Sequence, residues 1–124
     1  MLFRSKTALD EVYGMSTFDY IFSHPEEMNV FNAAMTELSM MDSPVIAEAY
    51  KFDGIGTLVD VAGGHGLLLA NILQRNPQMR GVLYEFPPVV EGAKTGPLSP
   101  YRDRCSLVAG NMFESVPEIG RAHV

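Results

Sequence analysis

The chain has 124 residues, a formal net charge of -6, 47% hydrophobic and 19% charged residues, which suits one globular domain or a piece of a larger one and excludes a disordered chain. No run of Lys or Arg forms a basic patch, so nucleic acid and an anionic membrane surface are poor partners. No apolar run is long enough to span a bilayer, Met1-Leu2-Phe3-Arg4 is too short for a signal peptide, and the single cysteine, Cys105, forms no internal disulfide and suits a reducing cytoplasm.

Residues 1–22 carry no strong hydrophobic period; Gly14 interrupts them and the aromatic group Phe18, Tyr20 and Phe22 follows. A helix start is expected at Ser23, with Glu26 at the capping-box position and Pro25 in the first turn. Met28, Phe31, Met35 and Leu38 then recur on one helical face. Ser43-Pro44 reads as the start of a second, short helix that ends near Tyr50. After the turn Asp53-Gly54, Thr57 to Ala62, where β-branched and apolar residues run together without alternation, predicts a buried strand. Gly63-Gly64-His65-Gly66 is a tight loop, Leu67 to Arg75 a helix stopped by Asn76-Pro77, and Gly81 to Glu85 a second strand. A short helix over Val89 to Ala93, a proline-containing loop from Thr95 to Arg102, and a third strand from Cys105 to Ala109 complete the pattern. Strand and helix in alternation predict an α/β fold with a parallel sheet and right-handed crossovers, preceded by two helices.

The chemistry is concentrated just past the strands, where open α/β sheets bind ligands. Asp60-Val61-Ala62-Gly63-Gly64-His65-Gly66 joins a strand to a helix. Its small residues let backbone approach a ligand, and the helix aims N–H groups into the loop. The plain alternative is an ordinary glycine turn. The dinucleotide fingerprint fits less well, because Leu69 stands where its third glycine belongs. Glu85 ends the second strand, where a carboxylate can accept both hydroxyls of a ribose; a solvated glutamate is the alternative. Asn111-Met112, past the third strand, can meet an adenine edge and face, or be an ordinary turn.

Together the segments Phe18-Asp19-Tyr20, His24-Pro25-Glu26, Phe31 to Met35, Leu58 to Gly66, Gly81 to Pro87 and Gly110-Asn111-Met112-Phe113 resemble a known family. It is the S-adenosylmethionine-dependent O-methyltransferase family of the plant caffeate and isoflavone enzymes, hydroxyindole O-methyltransferase and bacterial natural-product enzymes. The resemblance implies a Rossmann-like class I methyltransferase fold, of which this chain holds the first half of the sheet. Residues 1–22 would be the remnant of an N-terminal helical dimerisation region, and residues 23–124 a partial S-adenosylmethionine-binding domain. The cofactor would be S-adenosyl-L-methionine, met by Asp60, Gly63, Gly64, Gly66, Glu85, Phe86, Asn111 and Met112. Phe31 and Met35 would line the acceptor, although core packing explains Met35 equally well. The reaction implied is methyl transfer to a hydroxyl of a small aromatic acceptor, by a cytoplasmic enzyme that is a homodimer at full length.

There are departures. The family pattern has glycine at Ala62 and aspartate at both Glu85 and Asn111, changes that would weaken cofactor binding without excluding it. The family's catalytic base lies beyond the end of this sequence, so no catalytic residue is assigned and the chain by itself is expected to be an inactive fragment. His123 follows the third strand too closely to be that base, and the tail from Gly120 does not match the family. His65 is expected to face cofactor or solvent, and no residues have metal-ligand spacing. A non-catalytic cofactor-binding or interaction module and an NAD-dependent oxidoreductase are the rival readings.

Overall fold

A computed structural model describes residues 6–118, and the predicted tail with His123 lies outside them. The chain forms two compact units, the first ending at Ala34 and the second starting at Met35.

The first unit holds structure that hydrophobic periodicity does not reveal. Helix α1, Ala8–Tyr13, starts at a capping box in which Thr7 and Asp10 each bind the other's backbone N–H, and ends at Gly14 with φ +67°. Helix α2, Thr17–Ser23, is capped by Ser16. Local side-chain caps of this kind start helices too short to show a stripe. Tyr13 lies against Tyr20 with ring centroids 4.6 Å apart and planes tilted by 36°, and Phe31 meets Phe18 edge-on at 6.5 Å.

Helix α3, Pro25–Ala49, departs from expectation at two points. Ser23 does not cap it: its hydroxyl turns back to donate to the Tyr20 carbonyl at 2.8 Å, as the last residue of α2. Nor does a new helix begin at Ser43-Pro44; α3 runs through Pro44. An interior proline costs about 3 kcal/mol by removing one hydrogen bond and crowding the preceding turn. Ser43 and Ala47, one turn apart, are buried, and Ala47 joins the core cluster of the second unit. Burial of that face holds the turns on both sides of the proline in line.

The second unit is a three-stranded parallel sheet in the order β1-β2-β3, with β1 Thr57–Val61, β2 Arg80–Glu85 and β3 Cys105–Ala109. Helix α4, Leu67–Arg75, links β1 to β2, and helix α5, Pro87–Ala93, with a 3-10 turn at Ser99–Tyr101, links β2 to β3. In register, Asp60 lies beside Leu83 and Leu83 beside Leu107. Contrary to expectation β1 is only half-buried, because a single neighbour pairs with it, whereas β2 takes the centre.

The core is Leu69, Leu73, Met79, Leu83 and Leu98, all fully buried, each contributing about 1.5–3 kcal/mol. Gly81 lets α4 lie close: a Cβ there would come within 3.0 Å of Leu73 and 3.2 Å of Leu69. Arg104 closes the far end, donating to the carbonyls of Leu73 (2.6 Å), Met79 (2.8 Å) and Asn76 (3.1 Å). It thereby adds donors to carbonyls at the end of α4 and its following turn, where Leu73 and Asn76 also accept from backbone N–H groups. Cys105 is buried, and burial pushes its thiol up. Among the described residues no helix is long and apolar enough to cross a membrane.

Candidate functional site

The parallel strands bring Val61, Glu85 and Ala109 to the same end of the sheet. The loop after β1 begins by extending the ladder, with the Ala62 N–H donating to the Tyr84 carbonyl at 2.9 Å. It then winds tightly, with φ of +61° at Ala62, +58° at Gly64 and +85° at Gly66. Ala62 is the only non-glycine residue with positive φ among the described residues, a conformation that costs an L-residue with a Cβ about 1–2 kcal/mol.

The three glycines have different surroundings. A Cβ on Gly63 would strike the Asp60 carboxyl and come within 2.6 Å of Leu83, and one on Gly66 would strike Leu98. Those two positions fit the loop against the protein. At Gly64 no atom lies within 4 Å of the Cβ direction, so this is where the backbone is open to a ligand. Gly66 also starts α4 without a side-chain cap, which leaves the first N–H groups of that helix for a ligand or water.

Glu85 is 7% exposed. Its Oε2 accepts from the Gly64 N–H at 3.1 Å and its Oε1 from the Phe86 N–H at 2.8 Å. A carboxylate has about four acceptor positions, so two remain. Asp60, paired with Leu83 on the neighbouring strand, has its Oδ2 buried without a partner. Burial, and then the charge of Glu85, raise the Asp60 carboxyl to about 6. A buried acceptor without a donor is costly and favours a ligand that brings one, most of all a cation.

Past β3, Asn111 organises a turn. Its Oδ1 accepts from the Phe113 N–H at 3.0 Å, and its carbonyl from the N–H groups of Glu114 (3.0 Å) and Ser115 (3.1 Å). The ordinary turn role is therefore real, and it uses one of the two lone pairs on that oxygen. Met112 is half-buried beside it. Phe113, 75% exposed, lies 6.4 Å from the ring of Phe86. Sequence reasoning overlooked Phe113 as a candidate, although an aromatic next to Met112 was the signal.

Other expectations change. His65 is half-buried, one side of its ring against Gly92 of α5, where a Cβ would come within 2.9 Å of Nε2. Leu69, at the third fingerprint position, is sealed in the core against Gly81; the glycine that permits close packing sits on the strand instead. Phe31 packs on Phe18 in the first unit, and Met35 is 40% exposed on α3. The contacts that build the glycine loop include neither. Among the described residues no group of three or more His, Cys, Asp and Glu could hold a metal ion.

Known proteins share this fold. The O-methyltransferase domain family matches residues 3–122. Phenazine O-methyltransferase PhzM of Lysobacter antibioticus is 34% identical over 96% of this chain and 35% of its own length. The solved structure of the mitomycin 7-O-methyltransferase MmcR superimposes with a TM-score of 0.84 at 36% identity, over 91% of this chain and 34% of that one. That of NcsB1, from neocarzinostatin biosynthesis, determined with S-adenosyl-L-homocysteine and 1,4-dihydroxy-2-naphthoic acid, gives 0.81 at 26% identity, over 90% and 34%. The chain thus spans about a third of the length of the relatives it matches.

Proposed function

The chain belongs to the O-methyltransferase domain family, and from that premise we propose that it is the S-adenosylmethionine-binding part of an enzyme that methylates a hydroxyl of a small aromatic acceptor. The observation that carries this reading is Glu85: a buried carboxylate at the end of the central strand, tied to the glycine loop, with two acceptor positions left.

The residues present fit the cofactor. The open acceptor positions of Glu85 suit the two hydroxyls of a ribose. The orphaned Oδ2 of Asp60 and the paired acids suit a cationic ligand. Gly64 offers backbone with open space before it, and the uncapped start of α4 suits the ligand's carboxylate. Gly63 and Gly66 shape the loop, and Asn111, Met112 and Phe86 would meet the adenine. The bound cofactor would supply an activated methyl group on a sulfonium. The work of this chain is then to hold and orient that group for in-line attack. A general base and the acceptor's wall lie outside these roles, with Phe31 and Met35 the candidates here for lining the acceptor. The structure of NcsB1 with a dihydroxynaphthoic acid supports an aromatic acceptor. We also place residues 1–22 at the end of a helical region preceding the cofactor-binding part, in a cytoplasmic homodimer.

Calorimetry with S-adenosylhomocysteine and with NAD tests the reading. Binding of the first without the second is expected; NAD binding alone, or neither, would overturn it. Incubation of the 124-residue chain with radiolabelled S-adenosylmethionine and a panel of phenols is expected to yield no product. Transfer that disappears in His123→Ala would show instead that the chain carries its own base.

A further inference from the structure

Strand β2 ends in two side chains that leave opposite faces of the sheet. Glu85 reaches back to the loop after β1. Tyr84 reaches forward: its hydroxyl donates to the Ser115 carbonyl at 2.8 Å, 31 positions along the chain. We infer that Tyr84 is a positioning residue that holds the turn Asn111–Ser115 in the one geometry that can read the edge of the ligand's purine base. The inference rests on the proposed cofactor reading and adds a specificity determinant to it.

The turn is gripped at both ends by β2. At its start, the Gly110 N–H donates to the Glu85 carbonyl at 3.0 Å. The Tyr84 ring lies so close to Gly110 that a Cβ there would come within 2.5 Å of Cε2 and 2.6 Å of Cζ. At its end, the Tyr84 hydroxyl holds Ser115. Between these points Asn111 accepts from the N–H groups of residues 113, 114 and 115, so its side chain is oriented by a turn that is fixed at both ends. Tyr84 is 4% exposed, and its ring alone would fill that space. A phenylalanine would pack as well without the hydroxyl, which must find a partner when buried. The hydroxyl is the part that sets the turn.

Tyr84→Phe separates the two roles. The protein is titrated with S-adenosylhomocysteine and with S-inosylhomocysteine, which differ at the edge of the base: the exocyclic amino group becomes a carbonyl and the adjacent ring nitrogen changes from acceptor to N–H donor. Hydrogen exchange is followed at the amides of Glu114 and Ser115. In the variant, the preference between the two ligands is expected to fall about fivefold, the equivalent of one net hydrogen bond, and both amides exchange faster. Equal weakening toward both ligands, or an unchanged preference, would overturn the inference and leave Tyr84 a packing residue. Failure of the unsubstituted protein to bind S-adenosylhomocysteine would instead bring down the cofactor reading itself, and this inference with it.

Discussion

Replacing Glu85 by glutamine keeps the shape of the side chain and removes its charge. In the native site the two oxygens serve different donors, Gly64 N–H on one and Phe86 N–H on the other. A carboxamide has one oxygen, so one of those N–H groups must face an NH₂. A buried donor left unpaired costs about 1–3 kcal/mol. In a domain of this size each kcal/mol lowers Tm by about 4–8 °C, so a drop of roughly 4–24 °C is expected in a thermal melt. The effect on the ligand is separate. Hydrogen bonds to a charged acceptor are worth about 1.5–3 kcal/mol, so S-adenosylhomocysteine should bind Glu85→Gln about tenfold more weakly or worse. Calorimetry gives the affinity at a temperature where both proteins are folded. A variant with lowered Tm and unaltered affinity would refute the ribose assignment and leave Glu85 as a tie for the glycine loop alone.

Ala62→Gly should relieve the positive φ at that position and raise stability by about 1 kcal/mol, after the greater freedom of glycine in the unfolded chain is subtracted; a fall in urea midpoint would contradict this. Gly64→Val should abolish ligand binding, because it fills the open face of the loop with a β-branched side chain at a φ it adopts poorly, and normal binding with a native circular dichroism spectrum would reduce the loop to a turn. Asp60 gives a pH signature. Its carboxyl, raised from 3.8 to about 6 first by burial and then by Glu85, holds a proton in the folded chain that the unfolded chain has lost. Its contribution is therefore most favourable below pH 4, declines by about 3 kcal/mol as the pH rises to 6, and is flat above. In Asp60→Asn that decline should be missing from urea midpoints taken between pH 4 and 7, and parallel profiles would refute it.

The glycine loop, α4 and β3 were legible because their signals are local. Leu67 to Arg75 has buried residues at helical spacing and a stop at Asn76, and Cys105 to Ala109 is a bounded apolar run. Helices α1 and α2 were not read, although Thr7-Asp10 and Ser16-Asp19 are cap pairs, because neither helix buries a residue and so neither carries a stripe. The run of α3 through Pro44 is decided by burial of Ser43 and Ala47, a tertiary effect that overrides a strong local stop. At the site, glycine spacing and an acid at a strand end marked the right segments. The bonds that tie them, Glu85 to Gly64 and Tyr84 to Ser115, join residues 21 and 31 positions apart, and no periodicity carries such pairings. The same holds for Arg104, whose carbonyl partners lie on α4 and its following turn.

The strands lie side by side in the order in which they occur along the chain. During synthesis each new strand can therefore dock on the free edge of the one made before it, and no gap has to be held open for a later arrival. Strand β2 is the step that matters, since it both closes on β1 and offers the edge that β3 will take. Until residue 85 has left the ribosome, β1 has no partner among these strands, and Leu69 and Leu73 of α4 lack the close strand at Gly81 against which they pack. Once Leu83 is in place beneath Gly63 and Gly66, the ligand-facing loop acquires its shape, so the binding surface is assembled early and from its amino-terminal side.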